Sequence, residues 1–448
     1  MKNTQKAVFL VDGEHHPAAV REAVTELETR LDVKAIALYF LGGTEKIEDL
    51  SQLAMHGIEL VVPADPFREF ADHLNRLRPE IVLDLSDLPI LGPAARMVLA
   101  ARALASGVIY AGSDFQFLPP HRERILTKPS CSIIGTAKRC GKTAVSAEMA
   151  RYLVQQGRRP VVVAMGRGGP AEPHLLEDTK VTEDFLFSEM ERGMHAASDN
   201  YEDALMAEVT TVGCRRCGGG LAGEAFVTNC VQGAALADSL SCDCVIMEGS
   251  GSSIPPVATD TCVCVVSAAQ DMEEALGFLG PYRLLISDGV LITMAEEPFA
   301  PPHKLKQLRE GIEQINSDAV VLNAVFRPHP LKSIHGRKVF LVSTAPEAAG
   351  PMIEGYLRER EECIVVGRSH ALSNRKLLRE ELEESRDADV LLTELKAAAV
   401  DTVADWARNK GKEIVYFHNI PVPLDDEPGL DDFFENIWKK PMEIDLRS

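Results

Sequence analysis

The residues with the clearest chemistry are Gly135-Thr136-Ala137-Lys138-Arg139-Cys140-Gly141-Lys142-Thr143, where an apolar run stops at Gly135 and a helical pattern resumes after Thr143. A short glycine-bearing loop between a strand and a helix turns successive N–H groups toward one point, and the helix start adds its dipole there. In that setting Lys142 reaches the β- and γ-phosphates of a nucleoside triphosphate and the Thr143 hydroxyl serves Mg²⁺, so ATP and Mg²⁺ are the expected cofactors. Gly135, Thr136 and Gly141 line the nucleotide, and Lys138, mid-loop, lies over the transferred phosphoryl group. Counting back from Gly141-Lys142-Thr143, the usual first glycine of a Walker A loop falls at Thr136, whereas here it stands one residue earlier.

About one hundred residues on, an apolar strand ends in Glu248-Gly249-Ser250-Gly251. A carboxylate at a strand end opposite the loop is the expected second holder of Mg²⁺, giving Thr143 and Glu248 as the metal pair. The strand 160–165 runs into Gly166-Arg167-Gly168-Gly169, which places Arg167 as a phosphate fork. Cys214-Arg215-Arg216-Cys217-Gly218-Gly219-Gly220 contains half of a zinc set, but only Cys230 follows nearby. Four ligands are needed for a structural zinc, so an anion-binding turn carrying Arg215 and Arg216 is the better expectation.

These residues need elements to position them. Apolar runs at 8–11, 35–41, 58–62, 81–85 and 108–111 alternate with helical stretches starting near Pro17, Lys46, Pro66 and Pro93. Such alternation means βαβ units and parallel sheets. The pattern continues with strands at 132–134, 160–165, 242–247, 261–266, 283–286 and 319–325, then at 338–342, 363–366, 390–392 and 413–417. Residues 171–240 show few strand signals. The fold class is therefore α/β: a Rossmann-like parallel-sheet domain over 1–125, a P-loop NTPase domain over 126–330 and a C-terminal α/β unit over 331–448. The acidic block after Pro423 reads as a solvated tail packed down by Phe433 and Trp438.

Ligands in such sheets bind at the carboxyl ends of strands. The first strand ends in Asp12-Gly13-Glu14-His15-His16, either a polar ligand site or an N-cap with solvated neighbours. Later strand ends carry Phe326-Arg327-Pro328 and Gly367-Arg368-Ser369-His370.

The net charge is −20, which invites neither nucleic acid nor an anionic membrane. No apolar run reaches the length of a membrane span and no signal segment precedes the first strand, so a cytoplasmic protein is expected, its ten cysteines reduced. Cys242, Cys244, Cys262 and Cys264 are expected as small apolar residues of two strands. A homodimeric state is left open.

The loop Gly-Thr-x-x-x-x-Gly-Lys-Thr with Glu-Gly-x-Gly resembles the dethiobiotin synthetase branch of P-loop proteins. Taken with Asp12-Gly13-Glu14-His15, Cys217-Gly218-Gly219-Gly220, Phe326-Arg327-Pro328, Gly367-Arg368-Ser369-His370 and Ser373-Asn374-Arg375, the whole chain resembles the cyclic 2,3-diphosphoglycerate synthetases. The resemblance implies an ATP-dependent ligase joining the two phosphates of one small phosphate ester. Two phosphates that repel one another must be neutralised by cations, so Lys138, Lys142 and Arg167 are the catalytic candidates. Arg215, Arg216, Arg327, Arg368 and His370, with Asp12 and His15, are the candidates for substrate. Other expectations are a carboxylate-activating ligase of the dethiobiotin synthetase type, or a nucleotide-dependent protein switch. Switches usually carry Lys directly after the first loop glycine, where this chain has Thr136.

Overall fold

The computed structural model describes residues 4–445 except Asp178 and Ala398. It divides into two compact units, one formed by residues up to Pro120 with Met272–Ile286, the other by His121–Asp271 with the remainder.

The first unit is built on a six-stranded sheet in the order Glu59–Val61, Val33–Phe40, Gln5–Val11, Ile81–Asp84, Ile109–Ala111, Gln116–Phe117, parallel except for the last strand. Pro17 and Pro93 open the helices Pro17–Leu31 and Pro93–Ala105, where a missing N–H costs nothing. The helix expected near Lys46 is only a 3₁₀ turn at Leu50–Leu53, and the one expected near Pro66 begins at Phe70.

The segment 283–286, expected as a strand, is part of the helix Gly280–Leu285; the strand follows it at Gly289–Thr293. Pro281 in the first turn explains the difference, because it presets a helical φ and removes a donor that a ladder would need.

The second unit carries a 13-stranded sheet. Its first block is parallel, running Thr210–Cys217, Pro160–Gly166, Cys244–Glu248, Ser130–Gly135, Thr261–Ser267, Gly289–Thr293, Val320–Pro330. The short strands His174–Leu176 and Val227–Thr228 pair antiparallel with Thr210–Cys217. Residues 171–240 are therefore richer in strand than their composition suggested, and they also contain the helices Glu183–Glu191, Asp199–Ala207 and Cys230–Ser239. Cys262 and Cys264 lie buried in a strand as expected, whereas Cys242 precedes its strand, which begins at Cys244.

A second parallel block follows: Glu413–Pro423, Val390–Glu394, Lys338–Val342, Ile364–Ser369. The two blocks meet through an antiparallel ladder in which Ala324 faces Pro423 and Pro330 faces Phe417. Only residues 320–323 of the long strand pair with the first block, and only 413–417 of its partner pair with the second. The blocks thus run in opposite directions with their carboxyl edges facing each other across seven ladder pairs, about 20 Å at ~3.3 Å per residue.

The core agrees with this arrangement. Leu186, Phe187, Tyr201 and Ala204 from the two helices before Thr210 pack with Phe340, Leu391 and Val403 of the second block. The acidic C-terminal block is not a tail. It forms the helix Leu430–Asp445, and Phe433, Phe434, Ile437 and Trp438 are buried against Ile133, Val145 and Leu153 beside the P-loop strand. Asp431, Asp432 and Glu435 fall on the outer face of this amphipathic helix, a periodicity that the charge run concealed, while Glu427 before it is tied to Arg309 and Asn323.

Candidate functional site at the P-loop

The strand Ser130–Gly135 ends at the loop, and the helix Lys142–Gln155 begins at its lysine. Gly141 has φ +99°, a left-handed conformation that other residues adopt only under strain. An added Cβ there would also stand 2.1 Å from the Phe326 ring, so sterics and backbone both demand glycine. The amide N–H groups of residues 137–142 donate to no other described residue, which leaves a concave row of donors. Lys142 is buried, its ammonium 3.1 Å from the Ala137 carbonyl, folded back onto the loop. Thr136 donates to Gln270 at 2.9 Å.

Thr143 and Glu248, paired from sequence, meet: the Thr143 hydroxyl donates to Glu248 Oε1 at 2.7 Å, both side chains buried. Burial and the nearby Asp199 push the Glu248 carboxyl up to about 7, against the pull of Asp203, Thr143 and Lys142. Asp203 is raised well above the ordinary range, first by burial and then by Glu248. Both Asp203 oxygens and Glu248 Oε2 are buried without a protein hydrogen-bond partner.

Asp203 belongs to a set that the sequence reading missed. The helix Asp199–Ala207 packs on the P-loop helix and presents Asp199, Glu202 and Asp203 on one face. Burial raises Glu202 to about 8, opposed by Lys396, whose ammonium lies 3.1 Å from Glu202 Oε1. Burial also raises Asp199, opposed by Lys396, Lys142, His195 and Arg167. The available signal was three acids spaced i, i+3, i+4 among the small residues Ala197, Ala204 and Ala207, a pattern that points acids at a packed surface.

The expected cations divide. Lys138 and Arg167 are exposed and make no ion pair with an acid among the described residues, and burial, Arg139 and Arg167 lower the Lys138 ammonium. Arg167 and Arg216 converge over Gly251: a Cβ there would meet their guanidinium nitrogens at 2.6 and 3.1 Å. Arg216 is fixed by the Gly218 carbonyl at 2.9 Å and the Ser250 carbonyl at 2.8 Å.

Arg215 and Arg216 do not sit on a turn as expected. They end the strand Thr210–Cys217, and because side chains alternate, Arg215 projects from the opposite face, exposed. Cys214 is buried against Cys230, which raises its thiol, while Cys217 is exposed.

From the facing edge, Arg139 donates to Ser373 at 2.5 Å, so the loop touches the Ser373-Asn374-Arg375 segment. Arg327 is bound by both oxygens of Glu296 at 2.5 and 2.8 Å, and Arg368 is paired with Glu354. His370 donates from Nδ1 to the Ala345 carbonyl, 2.9 Å away, and its Nε2 is buried with no hydrogen-bond partner among the described residues. Arg368 and His370 meet at Gly350, where the helix Gly350–Arg360 starts.

In the first unit, Asp12 is fully buried and its oxygens are consumed locally. Oδ1 accepts from the amides of Glu14 (3.0 Å) and His15 (3.3 Å) and faces His15 Nδ1 at 2.8 Å, while Oδ2 accepts from Asp87 N at 2.7 Å. It ties two turns together but does not cap the helix Pro17–Leu31, whose N-cap is His16, accepting from Ala18 N.

No described helix is long and apolar enough to cross a membrane. Family models match the chain in three pieces: cyclic 2,3-diphosphoglycerate synthetase N-terminal domain over residues 6–118, its P-loop domain over 130–325 and its C-terminal domain over 330–420. A cyclic 2,3-diphosphoglycerate synthetase of Rubrobacter xylanophilus is 48% identical, covering 93% of this chain and 94% of that one. One of Methanothermus fervidus is 43% identical, covering 96% of each. Among solved structures, the hydrogenase maturation factor HypB of Archaeoglobus fulgidus aligns with 44% of this chain and 81% of its own at 14% identity and TM-score 0.29, too distant to bear on the site. With three family domains in order and near half of all residues shared with a full-length relative, the chain belongs to the cyclic 2,3-diphosphoglycerate synthetase family, an enzyme family of ATP-using ligases.

Proposed function

We propose that the chain closes a phosphoanhydride between the 2- and 3-phosphates of 2,3-diphosphoglycerate at the expense of ATP, with the chemistry at the Lys142–Thr143 turn. The observation that carries this reading is the pairing of Thr143 with Glu248 at a phosphate loop whose exposed Lys138, like the neighbouring Arg167, makes no ion pair with an acid among the described residues.

A substrate phosphate oxygen attacks the γ-phosphorus, the bond from γ-phosphorus to the bridging oxygen breaks, and ADP leaves. The second phosphate oxygen then attacks the activated phosphorus, forms the ring P–O–P bond and expels inorganic phosphate. A phosphate oxygen is already a nucleophile, so no general base is required. Holding both phosphates on one molecule in a fixed pose contributes on the order of 7 kcal/mol through effective molarity. Lys142 serves the β- and γ-phosphates, Lys138 and Arg167 the transferred group, and Arg216 positions Arg167 and the glycine loop.

The residues fit Mg²⁺. Thr143 and Glu248 would hold it, and the unpartnered oxygens of Asp203 and Glu248 are what a cation would satisfy. Among the described residues no three His, Cys, Asp or Glu side chains are arranged to hold a metal alone, which suits an ion completed by phosphate oxygens and water. When bound, Mg²⁺ neutralises phosphate charge. The ion pairs of Arg327 and Arg368 support a supporting role at the facing edge, with His370 Nε2 available to a phosphate. A protein of net charge −20 working on a small phosphate ester fits a cytoplasmic enzyme without nucleic acid.

The test is ADP release with and without 2,3-diphosphoglycerate, followed by ³¹P NMR. Release that depends on the ester, with a new anhydride signal, is expected. ADP release without any small acceptor would favour the protein switch.

A further inference from the structure

The second phosphate of such a substrate also needs its charge neutralised. The carboxyl edge that faces the loop carries Arg327, Arg368, Arg375 and Lys396. The three arginines are paired with Glu296, Glu354 and Asp401, acids that lie apart from the carboxylate cluster around Glu248.

Lys396 differs. It follows the strand Val390–Glu394, yet its ammonium reaches across to Glu202 on the helix that packs against the P-loop helix, at 3.1 Å. Among the described residues that ion pair is the one hydrogen-bond-distance contact of its ammonium, with Glu394 also within electrostatic reach, so two of its three N–H bonds have no described acceptor. The pair is lopsided: Glu202 is 2% exposed, while Lys396 keeps 31% of its side chain open. One turn before Glu202, Asp199 lies within the electrostatic reach of Lys396, Lys142, His195 and Arg167. The His195 ring lies beside Gly168, next to Arg167. Lys142 and Arg167 of one edge and Lys396 of the other therefore already act on one carboxylate, the charge arrangement that a phosphoryl group would meet.

We propose that Lys396 is a substrate-phosphate ligand supplied by the C-terminal edge, held by Glu202 so that its remaining N–H groups are available to a phosphate. This rests on the functional reading above, and it assigns the C-terminal block a direct part in binding the ester. Glu202 is then a positioning residue, and Asp199 is the carboxylate that the entering phosphate must outcompete.

The experiment uses full-length wild type, K396M, K396R and the double variant K396M/E202Q. Binding of ADP, and of 2,3-diphosphoglycerate in the presence of ADP and Mg²⁺, is measured by calorimetry, alongside KM for each substrate and melting temperature. Loss of a charge-assisted contact is expected to weaken 2,3-diphosphoglycerate at least about tenfold in K396M and in the double variant. ADP affinity should move less than about threefold, and K396R should retain most of the ester affinity. Because K396M alone leaves Glu202 buried and uncompensated, the double variant decides. If it binds the ester like wild type, Lys396 merely neutralises Glu202 and the assignment falls alone. If wild type neither binds the ester nor releases ADP with it, the functional reading falls and the assignment with it.

Discussion

The two facing edges of the large sheet carry similar numbers of basic side chains and treat them differently. At the P-loop edge, Lys138 and Arg167 make no ion pair with an acid among the described residues, and Lys142 is turned back on a carbonyl. At the C-terminal edge, Arg327, Arg368 and Lys396 are each tied to a glutamate. An unpaired cation keeps its full field for a ligand, whereas a paired one has traded part of it for a fixed position. The first edge is built to attract phosphate and the second to place it.

The largest effect should come from the free edge. Lys142→Ala is expected to lower kcat by at least about 10²-fold, the scale for losing one preorganised charge contact, while the melting temperature stays within a few degrees. Steady-state ADP release with a thermal scan checks both halves. Substantial turnover in that variant would mean that the loop is not where the chemistry occurs.

A smaller effect separates the edges directly. Arg167→Ala should lower kcat/KM by roughly 10- to 100-fold with no loss of stability, because nothing in the fold depends on it. Arg327→Ala should instead destabilise the chain by about 1–3 kcal/mol, since it strands Glu296 and removes a guanidinium lying 5.8 Å from the Tyr356 ring centre. Equal melting temperatures for the two variants would erase the distinction between free and paired cations.

How much of this was legible beforehand follows from how local each signal is. The P-loop and its acidic counterpart at Glu248 are contiguous motifs at strand ends, so type and spacing sufficed. The alternation of strands and helices showed the α/β class for the same reason. Asp199, Glu202 and Asp203 were passed over because acids on a helix are normally solvated, and only tertiary packing buries these. The pairing of Arg327 with Glu296 joins residues 31 apart in sequence, and that of Lys396 with Glu202 joins residues far more distant, with nothing in either neighbourhood to announce it. The facing edges depend on the register of 324–330 against 417–423, a non-local choice that hydrophobic periodicity does not encode.

The smallest expected effect tests the ladder that holds the edges at their distance. His329 and His418 stand directly opposite in it, ring centres 5.2 Å apart, and Arg151 lies 3.4 Å from His418 Nε2. Burial, then Arg151 and His329, hold the His418 imidazole down at about 3, below its unfolded value near 6.5. The unfolded chain therefore takes up this proton first. The stabilisation is fully present above about pH 6.5 and is lost as pH falls toward 3, by at most about 1.4 kcal/mol per pH unit. His418→Gln should flatten that slope in melting curves between pH 7 and 5 while leaving Arg167→Ala kinetics at pH 7.5 unaltered when the two are combined. If the edges are set by this ladder, additivity is expected, because the histidine pair acts on the scaffold and the arginine on the ligand. A non-additive double variant would show that the ladder and the P-loop edge are coupled, and that the division of labour between free and paired charge is not purely local.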